Sequence, residues 1–114
     1  MPKRPNNDPK SVSKKILAFG DAPLTTSAKG AAGELLVSVD LLKRGFFVFR
    51  SVSPTAPYDL IACNSQGKLF RIECRCGVVQ KSSGKIYFNR TGSTADHYAV
   101  ILTDKVLYEP PLED

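Results

Sequence analysis

The sequence predicts a single α/β domain of the α+β kind, a mixed β-sheet with helical cover, and three observations carry that expectation. Residues 28–44 repeat apolar side chains with a helical period. Beyond them the chain breaks into about six short runs rich in aromatic and β-branched residues, separated by Gly, Pro, Asn and Ser. A length of 114 residues suffices for one core and is too short for two.

The elements follow in order. Residues 1–26 hold prolines at 2, 5, 9 and 23 together with Lys, Asn and Ser, so they read as a flexible basic arm with a short ordered turn at 16–19. Its lysines, Lys14 and Lys15 among them, either grip phosphates or simply solvate the arm. The helix runs over 28–44, with Ser27 as N-cap and Gly45 as the glycine past its end. Ala28, Ala31, Leu35, Val39 and Leu42 recur at spacings of three and four and define the stripe expected to be buried. Glu34 lies about 100° around from Leu35 and borders that stripe. Gly30 and Gly33 each weaken a helix interior by roughly 1 kcal/mol relative to alanine, which suggests a close approach to backbone or ligand.

Residues 46–50 read as the first strand, and 58–63 as the second after the Pro54 and Pro57 loop. The turn at 64–67 leads into a third strand, 68–76, antiparallel to the second. Residues 85–89, 99–102 and 105–108 give three more, and 111–114 form an acidic tail. The intervening 27–110 are expected to be one domain.

No window reaches the ~18 apolar residues of a membrane span. No apolar stretch backs the charges at the start of the chain, so no secretory signal is expected. Cys63, Cys74 and Cys76 are odd in number and sit in strand-like runs, which argues for buried thiols in a reducing cytoplasm rather than for disulfides. Together with His97 they make four possible zinc ligands, but Cys-x-Cys within a strand splays its sulfurs, whereas structural zinc sites use turn-borne spacings. His97 is expected to be structural.

Charge is distributed unevenly. The net charge is +5, yet residues 43–90 carry nine basic side chains against two acids, Asp59 and Glu73. A segment this basic suits a polyanion or mere solubility. Strand alternation puts Arg71, Glu73 and Arg75 on one face and Phe70, Ile72, Cys74 and Cys76 on the other. The hairpin turn brings Asp59 alongside Glu73. Two carboxylates converging in a basic surround make a site for a hard divalent cation, which keeps positions open for phosphate oxygens. Arg75 beside them would steady charge on phosphorus. Lys81, Lys85 and Arg90, interleaved with Tyr87 and Phe88, suit phosphate contact and base stacking, or else a hairpin with wet lysines and core aromatics.

Pro57-Tyr58-Asp59-Leu60-Ile61, a hairpin, then Glu73-Cys74-Arg75 resembles the PD-(D/E)xK nuclease superfamily, in particular its small Holliday-junction-resolvase-like and intron-encoded endonuclease members. Residues 29–34 with 41–46 resemble the family's first helix, and 96–102 with 106–110 its closing strands. The resemblance implies a restriction-endonuclease-like mixed sheet flanked by helices and a metal-dependent DNA endonuclease. It implies Glu34 as the helix acid, Asp59 and Glu73 as ligands of Mg²⁺ or Mn²⁺, and Arg75 at the position of the family's lysine. It also implies DNA as partner, with Lys14, Lys15, Lys29, Lys81, Lys85 and Arg90 as contacts. A homodimer or homotetramer would cut two strands, and no small organic cofactor is called for.

Arginine at 75 is the departure. A lysine can order or deprotonate a water, whereas arginine stays protonated. A nuclease-fold binding module with impaired chemistry is therefore the alternative. Each acid also has a plainer account: Asp59 as a turn cap, Glu73 as the partner of Arg71 or Arg75, and Glu34 as a solvated helix residue.

Overall fold

The computed structural model of the chain describes residues 23–53 and 55–113. Lys14, Lys15 and the turn expected at 16–19 lie outside the described residues. Helix α1 spans Thr26–Lys43. Strands β1 (Phe47–Arg50), β2 (Leu60–Cys63), β3 (Leu69–Cys76), β6 (His97–Ile101) and β7 (Val106–Glu109) form one five-stranded sheet in the order β1-β2-β3-β6-β7. β4 (Val78–Val79) and β5 (Ile86–Tyr87) form a separate two-stranded ribbon. β3 and β6 are parallel and the other neighbours antiparallel, so the sheet is mixed. The parallel step requires a crossover, and the β4–β5 ribbon occupies it. This is the expected α+β fold, restriction-endonuclease-like in its mixed sheet. The run expected to be one strand at 85–89 is instead shortened to β5 and leaves the main sheet.

Local chemistry explains the boundaries. The N-cap is Thr25 rather than Ser27: its hydroxyl accepts from the Ala28 amide at 3.1 Å, satisfying a first-turn donor. Gly45 sits at φ +92°, the left-handed conformation that ends helices with least strain in glycine. Gly67, at φ +84°, closes the β2–β3 turn, in which Asn64 Oδ1 accepts from the amides of Gln66 (3.0 Å) and Lys68 (2.9 Å). That turn sets the register pairing Leu60 with Ile72 and Cys63 with Leu69.

The core lies between α1 and one face of the sheet. It gathers Val37 and Leu41 from the helix with Phe46, Leu60, Ala62, Phe70, Ile72, Ala99, Ile101 and Tyr108. Phe46 and Phe70 meet edge to face with centroids 6.0 Å apart. His97 is buried there as well. Its Nδ1 lies 2.6 Å from the Pro110 carbonyl, which can only accept, so His97 donates and its role is structural.

The helix is rotated from its expected setting. The expected stripe of Ala28, Ala31, Leu35, Val39 and Leu42 is exposed along its whole length, Leu35 at 51%, Val39 at 49% and Leu42 at 59%. Gly33, Val37, Ser38 and Leu41 face the sheet instead. Ser38 tolerates burial because its hydroxyl donates to the Glu34 carbonyl at 2.8 Å. Gly33 is buried on the covered face, whereas Gly30 faces open space, against the close approach expected there. The cysteines also differ from expectation: Cys63 and Cys74 are only partly buried and Cys76, near the end of its strand, is exposed. Among the described residues no helix is long and apolar enough to cross a membrane.

Candidate nuclease site

The site forms where β1 ends, β2 begins and β3 runs between β2 and β6, with α1 packed on the sheet. The sheet ladder extends one residue beyond β2: the Ser51 amide donates to the Asp59 carbonyl (3.3 Å) and the Asp59 amide to the Ile72 carbonyl (3.2 Å). With Leu60 opposite Ile72, Asp59 stands opposite Glu73, as the hairpin reading expects. Asp59 Oδ2 accepts from the Cys74 amide at 2.8 Å, and Oδ1 has no hydrogen-bond partner among the described residues. The side chain is thereby held against β3, so Asp59 is more than a local turn cap.

Glu73 is partly buried and ion-paired with Arg75, two residues along the same strand. Arg75 is held on several sides. It donates to the carbonyls of Cys74 (3.1 Å) and Thr91 (3.3 Å), and its guanidinium lies 5.7 Å from the centroid of the Tyr98 ring. Glu34 reaches the same region from α1, and Arg50, at the end of β1, approaches it at 3.6 Å. Rotation of the helix is what brings Glu34 inward, beside the buried Gly33 and Val37.

The electrostatics join the three acids. Burial raises the Glu34 carboxyl above the usual range; the charge of Asp59 raises it further, Arg50 opposes, and Glu73 adds to the rise. Cys74 between them has its thiol pushed well up, by burial first and then by Asp59, Glu34 and Glu73, with Arg75 opposing. A carboxyl raised in this way by neighbouring negative charge is relieved by a cation. The donor set of Asp59 Oδ1 with Glu73 and Glu34 is all oxygen and suits a hard divalent ion. Among the described residues no three acid, histidine or cysteine side chains already stand together in metal-holding geometry. Loading would thus require Glu73 to share or release Arg75. The cysteines and His97 do not assemble into a zinc site among the described residues either.

A second polar network, with no signal in the spacing, borders the site. Arg71 donates to both carboxylate oxygens of Asp96 (Nη2 to Oδ1 2.6 Å, Nε to Oδ2 3.0 Å) and to Tyr58 Oη at 3.1 Å. The Arg71 amide also donates to Asp96, and the Asp96 amide returns to the Arg71 carbonyl. These bonds hold the Asp96 carboxyl down at about 2 and pin the segment before β6 to β3. Tyr58 Oη also accepts from Thr94 at 3.4 Å. Arg71 is therefore not the partner of Glu73.

Of the expected DNA contacts, Lys29 is exposed early in α1, and Lys81 and Lys85 are exposed about the tip of the β4–β5 ribbon. Arg90 is engaged by Glu109 (2.9 Å) and lies 3.9 Å from the Phe88 ring centroid. Phe88 in turn packs edge to face on Tyr98, while Tyr87 stays exposed, so the interleaved aromatics divide between packing and solvent. Arg50 and the Arg71–Asp96–Tyr58 network are the members of this region that sequence reasoning missed.

A mixed sheet bearing an acid at the opening of one strand, an acid-x-cation run on its antiparallel neighbour and an acid on the covering helix defines the restriction-endonuclease-like class. The family model for PD-(D/E)XK endonucleases matches residues 24–106, and the chain belongs to that family. Nucleases of this family generally use divalent metals. Among solved structures the chain is similar to a bacterial homing endonuclease, I-Ssp6803I, with 22% identity and a TM-score of 0.53 over 67% of this chain. The match spans 56% of the length of that protein, and the likeness is one of fold. No curated protein matches the chain.

Proposed function

We propose that the protein is a divalent-metal-dependent DNA endonuclease that hydrolyses phosphodiester bonds at the Asp59–Glu73 end of the sheet. The observation that carries this reading is the register placing Asp59 opposite Glu73, with Glu34 coupled electrostatically to both. Asp59 and Glu73 would hold Mg²⁺ or Mn²⁺. When bound, such an ion supplies Lewis acidity toward phosphate oxygen and a more acidic water. Asp59 stays oriented through Oδ2 and the Cys74 amide. Arg75 supplies positive charge for a phosphate oxygen, and Glu34 adds the third negative group to the site. Lys29, Lys81, Lys85, Arg90 and the lysines of the N-terminal arm would contact the DNA backbone, so that affinity falls as salt rises. One such site cuts one strand, so cleavage of both calls for a dimer or tetramer. The working location is the reducing cytoplasm, in keeping with three free cysteines.

One observation favours a second reading. Arg75 both replaces the motif lysine and closes on Glu73, and on this second reading the chain would serve as a DNA-binding module with weakened chemistry. Incubation with duplex and branched DNA in Mg²⁺ or Mn²⁺ separates the two. Cleavage lost in Asp59→Asn and Glu73→Gln supports the nuclease, and unchanged cleavage in either rejects the assignment. No wild-type cleavage, with cleavage gained on Arg75→Lys, supports the weakened module.

A further inference from the structure

Beside Asp59 an open cleft of about 330 Å³ is bounded by the end of β1, the loop after it and the start of β2, with Phe49, Arg50, Pro57, Tyr58, Asp59 and Ile61 in its walls. That volume is at the small end of the ~300–1,000 Å³ of organic-ligand sites. Phe49 is 59% exposed, and no aromatic or cation partner stacks on its ring among the described residues. Phe46, Phe70 and Phe88, by contrast, each pack against another ring. An aromatic left open in water at a strand end, in a chain segment with nine basic side chains against two acids, is suited to a ligand that combines an apolar face with negative charge.

A nucleotide is such a ligand. In a duplex the faces of the bases are covered by their neighbours, and only base edges and the sugar-phosphate backbone reach the protein. An apolar concavity walled by an aromatic ring therefore matches a base that has left the stack. The cleft shares Asp59 with the nuclease site, so a nucleotide bound there would have its phosphate at that carboxylate end.

Resting on the nuclease reading of Asp59, we propose that this cleft is a base-accepting subsite: an unpaired base stacks on Phe49, which directs the enzyme to DNA with an unpaired nucleotide next to the scissile phosphate.

The test uses the full chain in EDTA, so that nothing is cut. One probe carries a single unpaired 2-aminopurine in a gap, and the other is a fully paired duplex of the same length. Wild-type protein is expected to bind the gapped probe more tightly and to change the 2-aminopurine fluorescence. Phe49→Ala should weaken that binding about 5- to 150-fold, the worth of one base–aromatic stack, and alter duplex binding by less than about twofold. Phe49→Trp should restore both affinity and fluorescence change, and Phe49→Leu, which keeps an apolar strand residue, should not. Equal losses on both probes, or none on either, would overturn the proposal. So would concentration-dependent self-association abolished by Phe49→Ala with DNA affinity unchanged. The two readings separate cleanly: probe discrimination without any Mg²⁺-dependent cleavage keeps the subsite and rejects the nuclease, whereas cleavage without discrimination does the reverse.

Discussion

Replacing Asp59 in two ways separates what its charge does from what its oxygen does. In Asp59→Asn the side chain keeps an acceptor for the Cys74 amide, now 2.8 Å from Oδ2, and loses its negative charge. That charge raises the carboxyl of Glu34, so its removal relieves repulsion and the folded state should be as stable as the wild type or slightly more so. In Asp59→Ala the Cys74 amide loses its partner at a partly buried position, which costs about 1–3 kcal/mol, nearer the lower value because water has partial access. For a domain of this size each kcal/mol lowers Tm by roughly 4–8 °C. Urea titration followed by circular dichroism gives the stabilities, and Mg²⁺-dependent cleavage of supercoiled DNA gives the activities. Both variants should be inactive, while only the alanine variant is less stable. Cleavage that survives in Asp59→Asn would refute a charge-dependent role. Equal destabilisation in the two variants would show that the hydrogen bond to Cys74 was misjudged.

Three further outcomes follow from the same structure. Leu41→Ala, at a fully buried position, should cost about 2–5 kcal/mol in urea unfolding, whereas Leu42→Ala, at an exposed one, should stay within about 0.5 kcal/mol; the reverse order would restore the other face of the helix to the core. The Asp96 carboxyl is held at about 2, below its ordinary 3.8, so its contribution is full above roughly pH 4 and is lost as pH falls toward 2. Solvent exposure of the pair limits that contribution to under about 1 kcal/mol, and denaturation curves between pH 5 and 2 should show Asp96→Asn losing the corresponding part of the slope. Arg75→Lys should raise the rate of Mg²⁺-dependent cleavage at least several-fold by freeing Glu73 and restoring a compact cation, and a fall in rate would show that arginine is the working residue.

The sheet was largely legible. Alternation in 68–76 assigned Phe70 and Ile72 to the core, and the Asn64–Gly67 turn led to the register that sets Asp59 against Glu73. What misled was the helix. Its strongest apolar period belongs to the exposed Leu35, Val39 and Leu42, while the face on the sheet combines Val37 and Leu41 with a glycine and a serine. Periodicity reports where apolar side chains lie, not which face is covered. Small residues on the covered face let the helix sit close and carry Glu34 inward, and they leave little hydrophobic signal. The run at 85–89 was read as an ordinary strand because its aromatics look like any other, its short partner at 78–79 gave no signal, and nothing local indicates which sheet the run joins. Arg50 and the Arg71–Asp96 pair were invisible for a different reason. Their partners are 16 and 25 residues away and meet only after the sheet has formed.

The central claim is that two carboxylates on neighbouring strands jointly hold a divalent ion. A crystal soaked in Mn²⁺ tests it most directly, through anomalous scattering at the metal. One peak in contact with both Asp59 and Glu73, with Glu73 turned at least partly from Arg75, is the predicted result. A map without a peak there, with Glu73 still closed on Arg75 at saturating Mn²⁺, would contradict it.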